Sequence, residues 1–175
     1  YGGGIDSLEK AKKIINLGAE KISLQSVFFK NKNLIKKNIK YFGSQAVVVS
    51  IDVKKNFFGN YKIWNYETNK FYDINNLSKL LIEIASLGVG EILITDVDRE
   101  GTLSGTDKKL IKETQELINI PIINNGGIKD FDDIKKSFEH GSKALGVGSF
   151  FVFYGKHKAV LITYPSDIIK NILNE

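Results

Sequence analysis

The sequence predicts an α/β fold with a parallel sheet, most of a (β/α) barrel, and three observations carry that expectation. Short apolar runs alternate with helix-like periodic stretches from Ser7 to Val147. Capping residues fall at the ends of the periodic stretches. The first and last of these units are copies of one another.

The runs Lys21–Leu24, Ala46–Ile51, Glu91–Thr95, Ile120–Ile123 and Ala144–Val147 are short and mostly rich in β-branched residues, so they read as strands. Between them, Ser7–Leu17, Leu34–Tyr41, Asn75–Leu87, Asp107–Ile118 and Asp130–His140 carry apolar residues at three- and four-residue spacing, the pattern of a helix with one buried face. Asp6 or Ser7 opens the first helix, Asp107 opens another, and Gly18 and Gly88 close helices. Strand alternating with helix implies parallel pairing through right-handed crossovers. One insertion breaks the rhythm. Residues 56–72, with Gly59-Asn60 followed by Tyr-Lys-Ile-Trp-Asn-Tyr, read as a β-hairpin in the loop after the second strand. The whole of 1–175 is expected to be a single barrel domain.

Gly3-Gly4-Ile5 through Phe29 aligns without a gap on Gly126-Gly127-Ile128 through Val152. Lys12, Lys13, Gly18, Ser26 and Phe28 meet Lys135, Lys136, Gly141, Ser149 and Phe151. Solenoids require at least three short repeats. Two distant copies instead point to a barrel of two half-barrels with equivalent phosphate sites.

Composition narrows the function classes. With 42% hydrophobic and 26% charged residues the chain can form an ordinary core, and no stretch approaches the roughly 18 to 20 apolar residues of a membrane span. The start Tyr1-Gly2-Gly3-Gly4 has no basic or apolar signal region. The lack of cysteine excludes disulfides and thiolate metal sites. The net charge of +5 comes almost wholly from scattered lysines, with Arg99 the only arginine, which argues against a nucleic-acid reader. The expectation is a cytoplasmic protein that handles phosphates, without nucleic acid, membrane, metal or cofactor. Methionine is absent even at position 1, so the natural chain is expected to continue before Tyr1.

Gly2-Gly3-Gly4 and Asn125-Gly126-Gly127 each stand just before a helix, where glycine lets backbone N–H groups approach an anion. Each is followed one strand later by a serine, Ser26 or Ser149. Barrels commonly hold phosphate in such loops. Asp52 ends its strand, and a carboxylate there points into a barrel's mouth, where it can move protons. The same position also suits a cap or a partner for Lys54 or Lys55. Asp96-Val97-Asp98-Arg99-Glu100-Gly101-Thr102 opens like a calcium loop but lacks the remaining positions. It reads as a substrate-binding loop, with Gly101 and Thr102 offering N–H and hydroxyl groups. His140 complements a helix C-terminus, and His157 reads as a solvated loop residue.

Tyr1-Gly2-Gly3-Gly4-Ile5, Phe42 through Asp52, Gly90-Glu91-Ile92-Leu93, Asp98 through Thr102 and Gly126-Gly127 resemble, in the same order, motifs of the cyclase subunit of imidazole glycerol phosphate synthase. The resemblance covers essentially the whole chain. It implies a (β/α)8 barrel of the ribulose-phosphate-binding type that takes ammonia from a glutaminase subunit of the HisH type, in a heterodimer. The ammonia cleaves and cyclises a phosphoribosyl intermediate to imidazole glycerol phosphate and AICAR. It also implies that Asp52 is one of two catalytic carboxylates. Gly4, Gln25 and Ser26 would form one phosphate site, and Gly101, Asn125, Gly126, Gly127, Gly148 and Ser149 the other, beside Gly3 and Thr102, which the loop readings above add as phosphate- or substrate-binding residues. Lys21 and Glu91 match charged residues that gate ammonia at the barrel's opposite end, and otherwise read as a surface ion pair.

The sequence departs from that pattern at Gln25 and Ser26, where Asn and Thr are usual, at Asp96 for Ser, at Glu100 for Asp, and at Asn124-Asn125 for Ala-Ser. Its tail, Phe151 through Ser166, resembles a paralogous branch associated with acetamidino modification of surface-polysaccharide sugars. Two alternatives therefore stand beside the cyclase: that paralogue, and a non-catalytic scaffold barrel. A full barrel takes about 250 residues. The resemblance puts Tyr1 at the end of the third strand, so the first two to three βα units, with the other catalytic Asp, are expected outside this chain.

Overall fold

The structure is a computed structural model that describes residues 1–74, 76–155, 157, 159–162 and 164–174. In chain order the elements are α1 (Leu8–Asn16), β1 (Ile22–Leu24), α2 (Ser26–Lys30), α3 (Lys32–Phe42), a 3₁₀ turn (Ser44–Ala46), β2 (Val47–Lys55), β3 (Tyr61–Asn65), β4 (Lys70–Phe71), α4 (Leu77–Ser86), β5 (Glu91–Asp96), α5 (Lys108–Gln115), β6 (Ile122–Asn125), α6 (Phe131–Glu139), β7 (Ala144–Gly146), α7 (Ser149–Val152), β8 (Phe153–Tyr154), β9 (Ala159–Val160) and α8 (Ser166–Asn174).

The alternation of strand and helix produces a parallel sheet. β1, β2, β5, β6 and β7 pair side by side and all run the same way. Gly2 adds a parallel bridge to Ser23 on the outer side of β1. Alternate residues on a strand face opposite sides, and in β1, β5 and β6 the two sides differ in burial, while β2 is buried on both. Ile22, Leu24, Val47, Val49, Ile51, Val53, Ile92, Ile94 and Ile122 are almost fully buried and form the core with Ala11, Ile35, Leu81 and Ile84 of the helices. Ser23, Leu93, Thr95, Ile123 and Asn125 lie on the other, half-exposed side. This is the (β/α)-barrel arrangement expected from the sequence, with helices outside and a more polar face within.

Local chemistry sets the helix ends. The Ser7 hydroxyl accepts from the Lys10 N–H at 3.3 Å, and the Asp130 carboxylate from the Asp133 N–H at 2.7 Å. Asp107 accepts from the N–H groups of Lys109 and Leu110 at 3.1 and 3.2 Å. Each side chain satisfies donors that the first helical turn cannot. His140 closes α6, with Nδ1 2.7 Å from the Lys136 carbonyl.

The repeat survives folding. Helices α1 and α6 begin at matching positions, Leu8 and Phe131, as do α2 and α7 at Ser26 and Ser149.

Two features go beyond the expected elements. β2 continues past its apolar run to Lys55 and pairs antiparallel with β3, which pairs with β4, so residues 56–72 grow directly out of a sheet strand. Short helices α2 and α7 and the terminal β8, β9 and α8 were not read from the pattern. Asn75, where the periodic stretch starts, lies outside the described residues, as do Lys156, Lys158 and Thr163 of the tail motif.

Candidate active site

The two ends of the parallel strands carry different chemistry. At the N-terminal end, Lys21 forms an ion pair with Glu91, the first residue of β5. Thr95 lies four residues farther along β5, so at about 3.3 Å per residue the pair stands roughly 13 Å from the opposite end. There the register aligns Asp52, Thr95, Asn125 and Gly146 in one row. The Asn125 amide donates to the Thr95 hydroxyl at 3.3 Å. A Cβ at position 146 would come within 2.8 Å of Asn125 Oδ1, so any larger residue there would force the Asn125 side chain to shift.

Asp52 is only 6% exposed and accepts a hydrogen bond from Gln25 Nε2, which follows β1. Burial pushes its carboxyl above the ordinary Asp value, and the Gln25 bond offsets only part of that rise. A carboxyl held in this way keeps a proton more readily and can exchange it with a bound ligand.

Gly3, Gly4, Gln25 and Ser26 line a cleft of about 430 Å³. The hairpin supplies its other wall through Trp64, Tyr66, Glu67 and Tyr72. Gly3 and Gly4 both have positive φ, and a Cβ on either would meet nothing within 4 Å, so their backbone faces open space. The second glycine pair is set differently. Gly126 and Gly127 line a narrow recess with Gly101, Asn125, Gly148, Ser149 and Glu100. A Cβ at 126 would lie 2.7 Å from the Asp96 carbonyl, and one at 127 would lie 2.4 Å from the Gly105 carbonyl. The two copies share a chain path but not their surroundings. Thr102 is not among the recess residues: its hydroxyl donates to the Arg99 carbonyl at 2.7 Å, within its own loop.

The hairpin is held from both sides. On one side, Lys30 of α2 reaches both Glu67 carboxylate oxygens at 2.7 Å, and Phe29 stacks on Tyr72 at 4.0 Å. On the other, Asp107 accepts from Lys55 Nζ at 2.7 Å and from the Tyr61 hydroxyl at 3.0 Å, while Asp98 accepts from the Lys55 N–H at 2.9 Å. Asp96 ends β5 beneath this network. Burial and then the charge of Asp107 raise its pKa against the pull of Arg99. The sequence identifies the hairpin but not that its aromatic residues wall the cleft. The signal was there: Trp64 and Tyr66 stand two apart and so share a side, opposite the fully buried Ile63.

A family model described as histidine biosynthesis protein matches residues 1–158. The chain belongs to that family. Its relatives place it in the HisF group. It is 39% identical over 175 residues to a Leptospira borgpetersenii protein provisionally named imidazole glycerol phosphate synthase subunit HisF, covering 99% of this chain and 68% of the relative. A Pseudomonas aeruginosa protein provisionally named as subunit hisF2 is 38% identical over 166 residues, 94% of this chain and 66% of the relative. The Helicobacter hepaticus imidazole glycerol phosphate synthase subunit HisF is 38% identical over 168 residues, 95% of this chain and 65% of the relative. The chain thus spans about two thirds of the length of these HisF relatives, and its match runs through both glycine pairs, Asp52 and the hairpin between them. Among the described residues, no helix is long and apolar enough to cross a membrane.

Proposed function

We propose that this chain provides the synthase, or cyclase, half of an ammonia-dependent imidazole glycerol phosphate synthase. On this reading a glutaminase subunit of the HisH type forms the other half of a cytoplasmic heterodimer. Ammonia enters past Lys21 and Glu91, crosses to the Asp52 row, and cleaves and cyclises a phosphoribosyl intermediate to imidazole glycerol phosphate and AICAR.

The observation that carries the reading is Asp52: a buried carboxyl of β2, bonded to Gln25 and biased toward its protonated form, in the row that runs through Thr95 to Asn125 beside the second glycine pair. Asp52 gives or takes the proton as ammonia attacks and the ring closes, in concert with the second carboxylate that the family resemblance implies. Gly3, Gly4 and Ser26 hold one phosphate, and Gly126, Gly127 and Ser149 hold the other. Fixing both ends orients the reacting centre between them.

A second reading, ammonia transfer in acetamidino-sugar formation, is favoured by Gln25 and Ser26. Both line the open cleft where the cyclase pattern has Asn and Thr. An assay of the full-length protein with ammonia and the phosphoribosyl intermediate separates the two. Formation of imidazole glycerol phosphate, cut by about 10²-fold or more in Asp52→Asn with binding retained, supports the cyclase. Phosphate binding without turnover sinks it and leaves the paralogue or a scaffold barrel.

A further inference from the structure

The recess beside the second glycine pair is built from two loops. Glu100, Gly101 and Leu103 come from the loop between β5 and α5, and Gly126, Gly127 and Ile128 from the loop between β6 and α6. Its width therefore depends on how firmly the two loops are held to one another. One tie is main-chain: the Gly105 N–H donates to the Gly127 carbonyl at 2.7 Å, and the Arg99 guanidinium donates to the Gly105 carbonyl at 2.8 Å. The first loop needs holding, because Leu103 sits at φ 57°, a left-handed backbone that a branched side chain adopts only under constraint.

The second tie is a buried side-chain network. Asp133, in the first turn of α6, is buried and is not among the residues that line the recess. Its carboxylate accepts from the Thr106 N–H at 3.0 Å and from the Thr106 hydroxyl at 3.1 Å, so it grips the residue next to Gly105. Lys108 Nζ donates to the same carboxylate at 2.6 Å, to the Asp133 carbonyl at 3.0 Å and to the Ser137 hydroxyl at 2.8 Å, and it also reaches the Thr106 hydroxyl. A charge is kept out of water only where it is paired and hydrogen-bonded. This carboxylate therefore cannot move without breaking several bonds at once. Gly105 is held by Gly127, and Thr106 beside it by Asp133.

We propose that Asp133 is a positioning residue for this recess: by clamping Thr106 it fixes Gly105 against Gly127 and sets the spacing of the two loops without touching the ligand. The inference rests on the phosphate reading of Gly126 and Gly127 given above and adds to it the residue that holds the site in shape. The first glycine pair has a different arrangement. The position that matches Asp133 in the repeat is Lys10, whose ammonium reaches the Asp6 carboxylate at 2.6 Å and the Gly4 carbonyl at 3.3 Å. The two sites should therefore respond differently to loss of Asp133.

Amide NMR of the full-length protein titrated with inorganic phosphate tests this, because the Gly127 and Ser149 signals report one site and those of Gly4 and Ser26 the other. Asp133→Ala should weaken phosphate roughly tenfold at Gly127 and Ser149, the lower end of what lost outer support costs a bound metal ion. Binding at Gly4 and Ser26 should stay unchanged. Asp133→Asn, which keeps an acceptor for Thr106, should retain the affinity even as its Tm falls. A merely structural role would lower Tm in both variants and leave phosphate affinity alone. Thr106→Val, close in shape to the wild type, carries the same readout should Asp133→Ala not fold, with a loss of about threefold for one neutral hydrogen bond. Unchanged affinity at Gly127 and Ser149 in the folded variants, equal losses at both sites, or an Asn variant as weak as the alanine overturns the inference while leaving the phosphate site standing. Phosphate that shifts neither Gly127 nor Ser149 in the wild type removes that site itself, and the inference with it.

Discussion

The Tyr61 hydroxyl donates to the Asp107 carboxylate at 3.0 Å, joining the hairpin to the first turn of α5. The same carboxylate caps that helix and takes the Lys55 ammonium. Tyr61→Phe removes one donor and should cost about 1 kcal/mol. Asp107→Ala removes the cap and every partner at once, and should cost about 2 to 3 kcal/mol. Chemical denaturation of both variants checks the order. Equal costs would show that the hairpin link contributes as much as the cap.

Two buried carboxylates should set the acid limb of stability. Burial raises the pKa of Asp133, but the hydrogen bond and charge of Lys108, with the Thr106 donors, outweigh it and leave the pKa lowered. Asp107 is lowered in the same way, burial being outweighed by Lys55, the Leu110 N–H and Tyr61. A depressed carboxyl stabilises the fold above its unfolded value of about 3.9, and that stability is lost as pH falls through the folded value. Stability should therefore fall steeply below about pH 4. Asp133→Asn should flatten that acid limb and lower stability at neutral pH. A variant with an unchanged acid limb would remove Asp133 from the account.

Asp52 predicts the opposite sign. Its folded pKa is raised, so its contribution is present below the unfolded value and lost as pH rises through the folded one. At neutral pH the ionised group is a burden that Asn lacks, while Asn still accepts from Gln25. Asp52→Asn should therefore raise Tm at pH 7 and match the wild type near pH 3. A lower Tm at pH 7 would mean that the carboxylate is structural.

The two glycine pairs should respond differently to a methyl group. At Gly4 an alanine meets only backbone strain, of about 1 to 2 kcal/mol, because nothing lies within 4 Å of the added carbon. At Gly127 the same strain is joined by a 2.4 Å approach to the Gly105 carbonyl. Gly127→Ala should destabilise the fold clearly more than Gly4→Ala. Thermal melts compare them, and equal losses would mean that the β5–α5 loop yields freely.

Much of this architecture was legible because strand and helix periods differ and because Ser7 and Asp107 stand where caps are needed. The continuation of β2 was not, since Val53-Lys54-Lys55 leaves the apolar run and gains its order from pairing with β3. Helices α2 and α7 span 5 and 4 residues, too few to show a helical period. Within the site, the glycine pairs announced themselves through repetition. The bond between Gln25 and Asp52 joins positions 27 apart, and the ion pair of Lys108 with Asp133 joins positions 25 apart, so neither has a local signature.

The division of β1, β5 and β6 into a packed side and a half-exposed side separates two kinds of evolutionary change. Ile22, Val49, Ile51 and Ile92 answer to the helices, and altering them disturbs the whole molecule. Ser23, Thr95 and Asn125 answer to whatever enters from the open side. Exchanges there, like those at Gln25 and Ser26 just beyond β1, revise what is recognised without repacking a single helix. A duplicated gene of this design can change its ligand in small steps, each of which still folds.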